Sequence, residues 1–224
     1  MLLTRQVGML QYQSVDASSD QLVLDGVSKW YNSRRVLHHI AAELSTGDVL
    51  LVTGHNGIGK STLLRLLAGI QQPTSGSIIY TIGGVQYRPY EAHAVIGMVG
   101  ADIQLYRELT AHEHLAFVAD VRGLRYDRQL LETTLAEVGL DGRGDEFVAS
   151  FSSGMQQRLR YALALLHRPA VLLLDEPTTN LDAAGIVLVD RVVEAQRRRG
   201  MTVIATNDRR DLRYGDLVLA LGEA

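Results

Sequence analysis

A chain of 224 residues makes one large domain or two small ones, with enough length to bury a sizeable core. Lys and Arg number 22 against 25 Asp and Glu, a net charge of −3, so no overall basic field is available for nucleic acid or an anionic membrane. An apolar share of 46% excludes general disorder, and the absence of cysteine excludes a disulfide framework, a thiolate metal site and a cysteine nucleophile.

Taken in chain order, residues 1–20 are polar and unpatterned, without the charged start and apolar stretch of a secretory signal, and read as a leader. Short apolar segments at 21–27, 36–43 and 49–53, bounded by Gly, Asn, Ser or Asp, predict strands. The pattern at 60–68 predicts a helix closed by Gly69, and 77–80 and 94–99 read as further strands. Helical spacing follows at 111–121 and at 128–138, the latter stopped by Gly139. Between 152 and 167, Met155, Leu159, Ala162, Leu163 and Leu166 form one apolar helical stripe. The continuous run 171–174 has the character of a parallel strand buried on both faces. A helix at 186–198, stopped by Gly200, and strands at 202–206 and 217–221 complete the set. This order predicts an α/β core carrying a helical insertion, and no apolar run is long enough to cross a bilayer.

The most specific motif is Gly54-His55-Asn56-Gly57-Ile58-Gly59-Lys60-Ser61, a G-x-x-x-x-G-K-S phosphate loop between a predicted strand and a predicted helix. Glycines let the backbone curl until its N–H groups point inward, and the following helix turns its positive end to the same anion. Lys60 then reaches the β- and γ-phosphates, and the Ser61 hydroxyl suits Mg²⁺. Far downstream, Asp175 and Glu176 end the apolar run 171–174. In a parallel sheet the carboxyl ends of strands line the ligand crevice, which places Asp175 for Mg²⁺ and Glu176 to polarise an attacking water. A strand ending in polar turn residues before Pro177 would be the plain reading of that pair without the phosphate loop.

Between these motifs lies Phe151-Ser152-Ser153-Gly154-Met155-Gln156-Gln157-Arg158. Alone it reads as an amphipathic helix capped by Ser152; in this order and spacing it resembles the L-S-G-G-Q signature of the ATP-binding-cassette (ABC) ATPases. Phe151, Ser153 and Met155 depart from that pattern, while Ser152 and Gly154 keep it. The resemblance covers residues 21–221, nearly the whole chain. It implies an α/β fold: a RecA-like P-loop NTPase core, an antiparallel β subdomain, and an α-helical subdomain inserted at about 102–158, within one ATPase domain at 21–224. It implies ATP with Mg²⁺ as cofactors, bound through Gly54, Asn56, Gly57 and Gly59, then Lys60, Ser61 and Thr62, with Ser61 and Asp175 on the metal. Tyr31 matches the aromatic that stacks on adenine, with Trp30 as a substitute, and Asp182 matches the aspartate of a loop at the dimer interface. The partners implied are a second copy, paired head to tail so that Ser152 and Gly154 close over the other copy's phosphate loop, and an integral-membrane permease. The chain would then sit on the cytoplasmic face of the membrane, and no nucleic acid is expected.

Two positions depart from the family. The glutamine expected after the strand at 94–99 aligns with Ala101, Gln104 being three residues late, and the histidine that contacts the γ-phosphate is replaced by Asn207. Asparagine still offers an amide N–H₂ but carries no proton or charge. Tolerated variation and a slow ATPase acting as an ATP-driven clamp both fit these changes. Catalysis is assigned to Glu176, Lys60 and Asn207. The short chain and the Ser-Ser-Gly-Met signature resemble exporter-type cassettes, including the haem-exporter subunit of cytochrome c biogenesis. The histidines are not spaced as metal ligands, since His38 and His39 are adjacent on a predicted strand and His112 and His114 lie two apart on a predicted helix. Arg197, Arg198 and Arg199 read as a solvated helix end.

Overall fold

The computed structural model of the chain describes residues 20–100, 103–179 and 181–222. The leader expected at 1–20 lies, up to residue 19, outside the described residues, and so does Ala101. In chain order the strands and helices are β1 Gln21–Tyr31, β2 Arg34–Ser45, β3 Val49–Thr53, α1 Lys60–Leu67, β4 Ser75–Ile82, β5 Val85–Tyr87 and β6 Ile96–Val99. They continue with α2 Ala111–Val121, α3 Arg128–Glu137, α4 Ser153–Leu165, β7 Val171–Asp175, α5 Ala183–Arg197, β8 Met201–Thr206 and β9 Leu217–Ala220.

The strands form two sheets, an antiparallel one in the order β2-β1-β4-β5 and a parallel one in the order β6-β7-β8-β3-β9. The parallel sheet explains the unbroken apolar runs. Leu172 and Leu174 of β7 pack with α4 and α5, while Val171 and Leu173 point to α1 and the antiparallel sheet, all four fully buried. In β3, Val49 and Leu51 face the first layer and Leu50 and Val52 the second. With both faces covered, the buried positions of β3 and β7 are apolar throughout, whereas β8 admits the buried Thr202 and Thr206, and each buried Leu contributes roughly 1.5–3 kcal/mol. The helices α2 and α3 extend the first layer through Leu115, Leu131 and Leu135.

Several elements differ from the sequence expectation. The hairpin strand β5 was not anticipated; its turn, Gly83-Gly84, has φ of 57° and 78°, the double left-handed geometry of a two-residue hairpin. His38 and His39, expected on opposite faces, are both exposed, because His39 adopts φ 48° in a stretch where the β1–β2 register shifts. Helix α5 starts one turn earlier than expected, at Ala183, because the Asp182 carboxylate caps it by accepting from Gly185 N at 2.7 Å. Arg197 is not simply a solvated helix end: it donates to the Gly47 and Tyr214 carbonyls and to Asp216, fastening α5 to the sheet edge.

Candidate active site

The carboxyl ends of β3, β7 and β8 lie side by side, with Thr53 paired to Thr206 and Asp175 to Ala205. That register delivers the phosphate loop, the acidic pair and Asn207 to one edge of the sheet. The loop needs its glycines: Gly59 has φ 124°, and a Cβ there would stand 2.9 Å from Val36 Cγ1 and 3.1 Å from the Val36 carbonyl. Only a bare backbone allows β2 to pack this closely on the loop. Gly59 is also the cap residue of α1 and supplies no side-chain acceptor, which leaves the first-turn N–H groups to an external anion. Gly54 and Gly57 take φ of 140° and 79°. Ser61 and Thr62 fall in the first turn of α1, half-buried.

Lys60 is 6% exposed, and its ammonium donates to the Gly54 carbonyl at 2.9 Å and the His55 carbonyl at 3.4 Å. It also lies 3.7 Å from Glu176 Oε1. The other Glu176 oxygen accepts from Asn207 N at 3.3 Å and lies 3.3 Å from Thr206 Oγ1. Glu176 itself adopts φ 48°, uncommon for a residue with a side chain, and its N–H still donates to Ala205 at 2.8 Å. The left-handed turn lifts its carboxylate off the strand and over the phosphate loop. Asp175, one residue earlier, keeps the extended strand and faces Gly100, whose Cβ position is 3.3 Å from Asp175 Cβ. The Asn207 amide Nδ2 donates to Asn56 Oδ1 at 2.7 Å, so the expected γ-phosphate contact is held against the loop itself.

The structure thus brings together Lys60, Asn56, Glu176 and Asn207, with Ser61 and Asp175 supplying the hard oxygen donors that suit Mg²⁺. The remaining expected residues sit elsewhere. Tyr31 ends β1 opposite Arg34, on the hairpin whose β2 strand packs against Gly59. Its ring is exposed, with Lys29 Nζ 5.3 Å from the centroid and its hydroxyl donating to Gln71 Oε1. Trp30 is also exposed, with Arg35 at 6.0 Å. Ser152 caps α4 by accepting from Met155 N at 3.3 Å, and Gly154 is so open that a Cβ would meet only Ser152 Oγ at 4.0 Å. Ser152 and Ser153 are exposed and Gly154 is half-buried at the start of α4, while Asp182 lies at the start of α5, where it caps that helix. Sequence reading missed Thr206, Thr178 and Asp211, which join the site through buried hydrogen bonds. The only available signal was a threonine directly before Asn207 at the end of an apolar strand.

A family model described as ABC transporter matches residues 37–179. The chain is 37% identical over 191 residues to the cell division ATP-binding protein FtsE of Escherichia coli strain K12, covering 81% of this chain and 86% of that one. It is 32% identical over 186 residues to the lantibiotic transport ATP-binding protein SrtF of Streptococcus pyogenes, covering 83% and 79%. The bacitracin transport ATP-binding protein BcrA of Bacillus licheniformis is 34% identical over 185 residues, covering 81% of this chain and 59% of its own length. Among solved structures, an ATP-binding subunit of an ABC transporter superposes with a TM-score of 0.79 at 29% identity, covering 89% of this chain and 85% of the other.

Proposed function

Because this chain belongs to the ABC transporter family, as an ATP-binding subunit with the ATPase activity that membership implies, we propose that it drives a separate membrane permease in the export direction. Two copies would pair head to tail on ATP, each placing Ser152 and Gly154 over the partner's phosphate loop, with Asp182 in the loop between them. The observation that carries this reading is the arrangement of Glu176, held between Asn207 N and Lys60 at the mouth of the phosphate loop.

In this reading the loop N–H groups and Lys60 hold the phosphates, while Tyr31 offers an exposed face to the adenine. Glu176 orients the attacking water and takes its proton. Asn207 turns its amide from Asn56 to the γ-phosphate as a neutral donor. Mg²⁺, held by Ser61 and Asp175, would neutralise the charge that develops on the phosphates. The clamp alternative keeps the same chemistry with slow turnover, and the neutral residue at 207 is what favours it. Relatives named for lantibiotic transport and for bacitracin transport support a cargo of that kind; the resemblance to haem-exporter subunits rests on the Ser-Ser-Gly-Met signature and the short chain.

No helix among the described residues is long and apolar enough to cross a membrane, so docking at the cytoplasmic face falls to a surface groove. Between α2 and the core, Ile70, Tyr106 and Phe117 are exposed around Met98 and Val118, an apolar patch suited to an element of the permease. The test is reconstitution with a candidate multi-span permease subunit. Phe117→Asp is expected to leave the ATPase rate of the isolated chain intact and to abolish stimulation by that subunit. Stimulation equal to that of the parent would contradict docking here.

A further inference from the structure

A carboxylate with 0% exposure lies behind the site. Asp211, in the 3₁₀ helix Arg209–Tyr214, accepts from Thr178 Oγ1 at 2.7 Å and from Thr206 Oγ1 at 2.6 Å. Thr178 and Thr206 are themselves 1% and 0% exposed. Among the described residues Asp211 forms no ion pair, and its hydrogen bonds come from two threonine hydroxyls, with the charge of the neighbouring Arg210 acting on it as well. Burying a carboxylate this way is unfavourable unless every lone pair has a purpose. Thr178 follows Glu176 by two residues, and Thr206 directly precedes Asn207, so one carboxylate fastens both loops that carry the reacting groups.

The Thr206 hydroxyl has a single proton and two acceptors in reach: Asp211 Oδ2 at 2.6 Å and Glu176 Oε2 at 3.3 Å. Asp208 N donates to the same hydroxyl at 2.9 Å and fixes its remaining direction. The short contact takes the proton. We propose that Asp211 is a positioning residue for ATP hydrolysis, holding the Thr206 proton away from Glu176 and locking the loops after β7 and β8 in register. Glu176 Oε2 then keeps a lone pair for the attacking water, and its only fixed donor on that oxygen is Asn207 N. Without the Asp211 carboxylate, the Thr206 proton turns to Glu176 Oε2 and occupies the lone pair that would receive the water proton. The inference rests on Glu176 as the group that takes the proton from water.

Steady-state ATPase kinetics of the full chain test it with Asp211→Asn, Thr206→Val and Thr206→Ser. Asp211→Asn is expected to lower kcat about 10- to 100-fold, as when an outer partner of an active-site group is lost, with KM for ATP nearly unchanged. Thr206→Ser keeps the hydroxyl and is expected to stay near the parent rate, while Thr206→Val breaks the Thr178–Asp211–Thr206 link but has no proton to turn on Glu176, so it is expected to fall below the parent yet less than Asp211→Asn. Combined with Thr206→Val, the Asp211→Asn change is expected to add nothing to the loss in kcat, since its path runs through that hydroxyl. Parent kcat in Asp211→Asn, or losses that multiply in the double variant, would overturn the proposal. If Asp211→Asn fails to fold, equal kcat in Thr206→Ser and Thr206→Val overturns it instead. A Glu176→Gln variant that retains parent turnover would remove the base reading and this inference together, whereas an inactive Glu176→Gln with a normal Asp211→Asn removes only the inference.

Discussion

At Glu176 the backbone accepts a left-handed φ of 48° immediately before a proline, a combination that costs about 1–3 kcal/mol and persists because its neighbours over-determine it. The gain is position, since the turn carries the carboxylate to 3.7 Å from Lys60. Removing that cation with Lys60→Ala is expected to abolish ATP binding in a fluorescent-nucleotide titration, and parent affinity would refute the phosphate-loop assignment. At residue 207 the neutral amide predicts that turnover shows no titration of its own near neutral pH. Asn207→His is expected to introduce a limb near about pH 6.5, the ordinary imidazole range. A pH–rate profile parallel to the parent would place residue 207 outside the reaction. The phosphate loop and the acidic pair were legible in the sequence because their chemistry depends on residue types at fixed spacing. The Asn56–Asn207 bond and the Asp211 network were not, because they join residues from different elements and depend on which side chains are buried.

At the scale of elements, helix starts were readable at three capped helices, while the Asp182 cap of α5 was passed over for a start at 186. Thr110 and Glu113 form a capping box at α2, and Asp127 and Ser152 cap α3 and α4. Strand ends were less readable: β1 runs on to Tyr31 past the expected limit at residue 27, because pairing with β2 rather than apolar content sustains it. Thr110→Ala is expected to lower stability by about 1 kcal/mol, seen as a lower denaturant midpoint with unchanged slope. A second prediction concerns the junction of α2, α4 and β6. There His167 Nε2 donates to the Ile96 carbonyl at 3.0 Å, Arg122 Nη1 stands 3.1 Å away, and Nδ1 is buried with no partner among the described residues. Burial first, and then the Arg122 charge, push the imidazole down to about 4 from its ordinary 6.5. The unfolded chain therefore binds the extra proton first, so this residue's contribution is intact above about pH 6.5 and is lost as pH falls toward 4. Urea midpoints across that window are expected to fall less steeply with acid in His167→Gln than in the parent, and parallel curves would contradict the assignment.

At the scale of the molecule, two apolar layers share one parallel sheet, and every group assigned to chemistry emerges at the carboxyl edge of that sheet. The near-neutral charge fits the proposed placement, in which anion binding would be concentrated at Lys60 and the start of α1 rather than spread over the surface. The same architecture leaves Ser152 exposed and Gly154 half-buried with open space where a Cβ would point, at the start of α4, which a second copy would complete. ATP between two such copies is the central claim, and slowing hydrolysis isolates it. Sedimentation of purified Glu176→Gln at high protein concentration, with and without Mg-ATP, tests it most directly. The account predicts a dimer with Mg-ATP and a monomer without nucleotide; a monomer under both conditions would contradict it.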